Sequence, residues 1–162
     1  MIAVKTLILA ERDVKRLLSM EEVMEAVELA FAEQGMNRTQ MPSKVYLFYQ
    51  KYNGDLRAMP SYLKGLDISA VEILNAHEDN RFKFKLPTTM ATVVMIEPKN
   101  GLPIAIIGGT CIADMRTGAA GGVAAKHLAR KDSRVVGLIG AGAQANTQLM
   151  ALLSLYGSLE EV

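Results

Sequence analysis

Residues 134–139 (Arg-Val-Val-Gly-Leu-Ile) read as a short buried β-strand, and Gly140-Ala141-Gly142-Ala143-Gln144-Ala145 follows at once. An alanine- and leucine-rich run over residues 146–155 then reads as a helix. A strand, a G-x-G-x-x-A turn and a helix in direct succession open a dinucleotide-binding unit. Each residue type has a physical role. Gly140 permits a tight turn, Gly142 lets backbone approach a pyrophosphate, and the new helix offers unpaired N–H groups with a positive dipole end. Without a ligand, the same sequence is a plain strand-to-helix turn. The acid that grips the ribose stands about 20 residues beyond such glycines, and the sequence stops at Val162. The nucleotide unit is therefore expected to be incomplete.

Upstream of this unit the periodicity is mixed. Residues 11–18 read as a short helix. Ser19-Met20-Glu21-Glu22 is a capping box, and Val23, Val27, Ala30 and Phe31 repeat at helical spacing behind it. This predicts an amphipathic helix over residues 20–34 that stops at Gly35. Residues 44–49 are rich in aromatic and branched side chains, Asn53-Gly54-Asp55 signals a turn, and residues 56–59 form the return strand. Further strands are expected at 66–75, 89–97 and 102–107, the last two joined by a tight turn at Pro98-Lys99-Asn100-Gly101. After a break at Gly108-Gly109, residues 117–128 read as a helix whose glycines allow close backbone approach.

The expected fold class is thus α/β. A mixed antiparallel sheet with helices occupies residues 1–130, and the first strand–turn–helix of a Rossmann-type domain occupies 131–162, with Lys131-Asp132-Ser133 as a polar joint. Half of the residues are hydrophobic, 22% are charged and the net charge is +1. No basic stripe points to nucleic acid. No apolar run reaches the ~18 residues of a membrane span, and the short apolar N-terminus lacks the layout of a secretory leader. A soluble, cytoplasmic protein is expected. The single cysteine, Cys111, excludes an intrachain disulfide and reads as a small buried residue in an apolar turn rather than a nucleophile. His77 and His127, far apart in sequence, form no metal-ligand pattern.

Four segments carry a resemblance to a known family: Gln40-Met41-Pro42-Ser43-Lys44-Val45, Gly54-Asp55-Leu56-Arg57-Ala58-Met59-Pro60, Leu86-Pro87-Thr88-Thr89-Met90-Ala91 and Met115-Arg116-Thr117-Gly118-Ala119-Ala120-Gly121-Gly122. With Gly140 to Gln144 they resemble the ornithine cyclodeaminase/mu-crystallin family, and within it the archaeal-type alanine dehydrogenases. The likeness runs along the whole chain but covers only the front half of a family member. It implies hydride exchange between an amino-acid α-carbon and NAD or NADP, giving an imine that is hydrolysed or cyclised.

The resemblance also implies roles. Lys44, Arg57 and Arg116 match substrate-carboxylate positions. Thr88, Arg116, Gly140, Gly142, Ala143, Gln144 and Ala145 match cofactor positions. Arg57 stands where cyclodeaminases carry an acid. Taken without the resemblance, Lys44 and Arg57 are strand-end surface charges. One position departs: counting back from Asn75-Ala76-His77-Glu78-Asp79-Asn80 puts Glu72 where the family has its catalytic lysine. A carboxylate there reverses the charge. It either pairs with Lys44 or Arg116 or is a solvated strand residue. The family's catalytic aspartate would lie past Val162. A homodimer and a small amino-acid substrate are implied. Three readings stay open: an amino-acid oxidoreductase that is inactive or incomplete at this length, a non-catalytic dimerising or ligand-binding protein of the mu-crystallin kind, and a truncated gene product.

Overall fold

The computed structural model describes residues 5–156, 159 and 160. The first elements are β1 (Leu7–Leu9), α1 (Glu11–Leu17) and α2 (Met20–Gly35). They are followed by β2 (Thr39–Gln40), β3 (Val45–Tyr49), a 3-10 turn (Gln50–Tyr52), β4 (Gly54–Leu63) and β5 (Ile68–His77). Then come α3 (Asn80–Lys83), β6 (Thr89–Ile96), β7 (Pro103–Gly108), α4 (Thr110–Leu128) and α5 (Ala143–Tyr156). The chain divides into two compact units, one of Met1–Arg16 and Glu33–Cys111, the other of Leu17–Ala32 and Ile112–Val162.

The first unit is a seven-stranded mixed sheet in the order β1-β7-β6-β5-β4-β2, with β3 also pairing β4. β1 runs parallel to β7 and every other pair is antiparallel. β4 is longer than residues 56–59 and continues through Pro60. Proline has no N–H to donate. Pro60 falls where β3 has ended, at Ala58, and β2 has not yet begun, at Tyr62. The turn before β4 is made by Asn53, at φ 46°, and Gly54 is already in the strand. A Cβ on Gly54 would strike the His77 ring. His77 is the last residue of β5, and its ring stacks on Tyr49 at 5.8 Å.

Pairing register assigns the two faces of the sheet. Tyr46, Asp55, Arg57, Glu72, Leu74, Ala91 and Val93 share one face, with Leu74 and Ala91 buried. Val45, Leu47, Leu56, Ala58, Val71, Ile73, Val94, Ile106 and Ile8 share the other. These side chains are apolar, Asn75, His77 and Thr92 lie on the same face, and Leu47 is 54% exposed and Ile8 72%. The β6–β7 hairpin turns at Gly101, whose φ of 76° suits glycine.

In the second unit α2 begins as expected. The Ser19 hydroxyl accepts the Glu22 N–H at 3.3 Å, while the Glu22 carboxylate accepts the Ser19 N–H at 3.2 Å. The helix runs through Gly35, and the left-handed residue that ends it is Asn37, at φ 56°. Phe31, counted in the apolar stripe, is half-exposed.

Two expectations need correction. The helix expected at 117–128 begins at Thr110, so Cys111 is a half-buried residue of its first helical turn. Residues 134–139 form no strand: Val135 makes an isolated bridge, and Ile139 is fully exposed. A buried parallel strand exists only through its neighbours. Among the described residues this segment has no more than a bridge and one backbone bond, from the Glu160 N–H to the Arg134 carbonyl at 2.8 Å.

Candidate functional site

The site residues expected from sequence fall into two groups, one in each unit. In the first unit, Lys44 is exposed just ahead of β3 and makes no hydrogen bond or ion pair among the described residues. It therefore does not pair with Glu72. Arg57 lies in β4 and is held from within the chain. Its Nε and Nη2 donate to the two carboxylate oxygens of Asp55 at 3.0 and 2.8 Å. The Tyr46 ring lies 5.7 Å from the guanidinium carbon. The hydrogen bonds from Arg57 hold the Asp55 carboxyl below the usual carboxylate range, and they push the guanidinium further up. Arg57 is thus not a plain surface charge. Nη1 makes no hydrogen bond among the described residues.

Glu72 stands in the middle of β5, between Met59 on β4 and Val93 on β6, on the same sheet face as Arg57. One of its carboxylate oxygens is buried, so it is not a freely solvated strand residue. Thr88 is exposed at the entry to β6, and its carbonyl accepts the His77 N–H at 2.8 Å. Asn80 is buried and donates to the Pro87 carbonyl at 3.1 Å, which fastens the segment that delivers Thr88.

In the same unit, the β7-to-α4 turn is capped by a residue that sequence reasoning passed over. The Glu11 carboxylate accepts the N–H groups of Thr110 and Cys111, at 3.1 and 2.6 Å. The N-terminus of α4 is thereby satisfied by an internal anion. Glu11 is 99 residues from Thr110 in sequence, so no local pattern announces this cap.

In the second unit, Arg116 is an exposed residue in the body of α4. It borders a mainly apolar groove of about 440 Å³ whose walls include Leu18, Val23, Val27, Ala30 and Ile112. The glycines that follow Arg116 are packing positions. A Cβ on Gly118 would sit 2.5 Å from the Thr147 backbone, and one on Gly122 would sit 2.8 Å from the Ala151 Cβ. α4 and α5 therefore approach closely, and Ala119 and Ala151 are completely buried.

The glycine loop leads straight into α5. Gly140 has φ 104°, a conformation that favours glycine. A Cβ on Gly142 would meet nothing within 4 Å, so the space before the loop is open. Ala143, Gln144 and Ala145 form the first turn of α5, which carries no acidic residue. An unobstructed turn of backbone N–H groups that carries no acid of its own fits the phosphates of a dinucleotide. Gln144 reaches back instead, its Nε2 donating to Asp114 at 2.9 Å. No cluster of metal-ligating side chains occurs among the described residues. No helix there is long and apolar enough to cross a membrane.

An alanine dehydrogenase from Archaeoglobus fulgidus is 47% identical over 152 residues, which span 94% of this chain and 46% of that protein. An archaeal alanine dehydrogenase dimer solved with bound NAD superposes with a TM-score of 0.89 at 46% identity, covering 94% of this chain and 46% of that one. The Δ1-pyrroline-2-carboxylate reductase of Thermococcus litoralis, solved with NADH and L-proline, also gives 0.89, at 43% identity and 93% and 46% coverage. The chain spans about half the length of the curated relatives it matches. The ornithine cyclodeaminase/mu-crystallin family model matches residues 4–162, and the chain belongs to that family.

Proposed function

We infer that this chain is the substrate- and phosphate-binding front part of an NAD(P)-dependent oxidoreductase acting on a small amino or imino acid. The observation that carries this reading is the open loop from Gly140 to Gly142, which feeds the acid-free first turn of α5 in a chain of this family. When bound, the nicotinamide exchanges a hydride with the substrate's α-carbon. The chain's own residues bind and orient. Backbone N–H groups at Gly142, Ala143 and Gln144 receive phosphate oxygens, with Gly140 shaping the turn and Ala145 continuing the helix. Thr88 offers a further cofactor contact. By the family resemblance Lys44, Arg57 and Arg116 are substrate-carboxylate positions. Arg57 can offer a carboxylate its second edge while Asp55 holds the first, because a guanidinium has donors on two edges.

The test is NAD+ binding to the 162-residue chain, read by saturation-transfer NMR, against Gly142→Val. The valine fills the open space before the loop and is expected to abolish the signal. A Gly142→Val chain that binds as the wild type does would remove the loop from the cofactor site.

Glu72 favours a second reading, a non-catalytic ligand-binding or dimerising protein. A carboxylate at the family's lysine position cannot attract the substrate carboxylate or offer the same proton. The 162-residue chain is accordingly expected to form no NADH from alanine. Alanine-dependent NADH formation would decide for catalysis. Homodimerisation, as in the archaeal dimer, belongs to both readings. A second copy is the occupant that suits the apolar sheet face of Val45, Leu47, Ile106 and Ile8.

A further inference from the structure

Gln144 is the second residue of α5, exposed at the mouth of the glycine loop. Its side-chain amide donates from Nε2 to Oδ1 of Asp114, on α4, at 2.9 Å. A carboxylate only accepts, so Asp114 determines which end of the amide faces it. The planar amide then carries its Oε1 away from Asp114. Two features keep this pairing in register. Gln148, one helical turn further along α5, donates from Nε2 to the Thr117 carbonyl at 3.2 Å. The backbone of Thr147 seats against Gly118, where no side chain fits. α5 cannot slide along α4 without breaking both.

We propose that Asp114 is a positioning residue that holds the Gln144 side chain with its carbonyl oxygen outward, so that this side chain receives a hydrogen-bond donor of the ligand rather than a phosphate. The proposal rests on the dinucleotide reading above. An ionised phosphate oxygen only accepts, as Oε1 does, and the two cannot pair. A ribose hydroxyl or a carboxamide N–H can donate to Oε1. The phosphates are left to the backbone N–H groups of the loop.

The experiment uses the ¹⁵N-labelled 162-residue chain, with NAD+ and inorganic pyrophosphate as probes. In Asp114→Asn the partner can offer either a donor or an acceptor, so Gln144 loses its fixed orientation. Without ligand, the Gln144 side-chain NH2 resonances are expected to move toward those of a solvated glutamine. NAD+ affinity is expected to fall about three- to tenfold relative to that for pyrophosphate, the reach of one hydrogen bond, because loss of the Asp114 charge acts on both anionic probes. The double variant Asp114→Asn, Gln144→Glu exchanges donor and acceptor across the pair and keeps an acceptor outward, so NAD+ affinity is expected to recover. Unchanged Gln144 resonances in Asp114→Asn would overturn the proposal. So would an equal change in affinity for both probes, or a double variant no better than the single one. If the resonances move but the wild type binds neither probe, the dinucleotide reading and the ligand assignment fall together, and the Asp114–Gln144 pairing stands.

Discussion

Arg57 illustrates what a sequence reveals about single residues. Its family position was legible from Gly54-Asp55-Leu56-Arg57-Ala58-Met59-Pro60, and so, in principle, was its partner. Residues i and i+2 of a strand share a face, which sets Asp55 beside Arg57. Asp114 and Gln144 are 30 residues apart on different helices, and only the packed structure joins them. Asp55→Asn is expected to destabilise the chain by about 1–2 kcal/mol, the cost of losing charge-assisted hydrogen bonds at a partly solvated site. Because the folded-state pKa of Asp55 is depressed, the pair's stabilisation is complete above the unfolded carboxyl pKa, about 3.9. It is lost as pH falls through the folded value. The Tm difference between wild type and Asp55→Asn should therefore hold steady near neutrality and close in acid. A difference that survives in acid would mean the pair is not its source.

Elements were legible where the cause is local. The Ser19–Glu22 capping box and the stripe behind it specify α2, and the Pro98–Gly101 turn specifies the β6–β7 hairpin. Ser19→Ala is expected to lower stability by about 1 kcal/mol, as loss of a cap does, measurable as a shift in the urea midpoint. Elements whose cause is distant were misread. α4 appeared to start at 117 because its cap, Glu11, comes from the far end of the sequence. Residues 134–139 have the composition of a strand, but neighbours decide whether such a segment pairs. The α4–α5 contact gives a sharper test. Gly118→Ala drives a Cβ into the Thr147 backbone, and overpacking of that kind costs about 1–3 kcal/mol. At Gly121 the Cβ meets only the far end of the Gln148 side chain, which can swing aside. Gly121→Ala should therefore be nearly neutral: helix propensity gains about 1 kcal/mol, against a hydrogen bond of similar worth. Equal effects of the two substitutions would contradict the close backbone approach.

At the scale of the molecule, the sheet leaves large apolar side chains of one face, Val45, Leu47 and Ile8, exposed, as an interaction surface does. With a second copy as its occupant, Leu47→Lys is expected to shift the chain from dimer to monomer by light scattering, with its circular dichroism unchanged. A dimer that survives Leu47→Lys would place the interface elsewhere. Sequence alone carried the family, the mixed α/β class and the glycine loop. It did not carry the two-unit division, in which α2 and α4 each contribute residues to both units. Such a division depends on contacts distant in sequence. The most direct measurement is a titration of NAD+ into the ¹⁵N-labelled chain, following backbone amides. Saturable shifts centred on Gly140, Gly142, Ala143 and Gln144 are the expected result. Loop amides that stay fixed at saturating NAD+ would contradict the proposal that this loop is the chain's dinucleotide cradle.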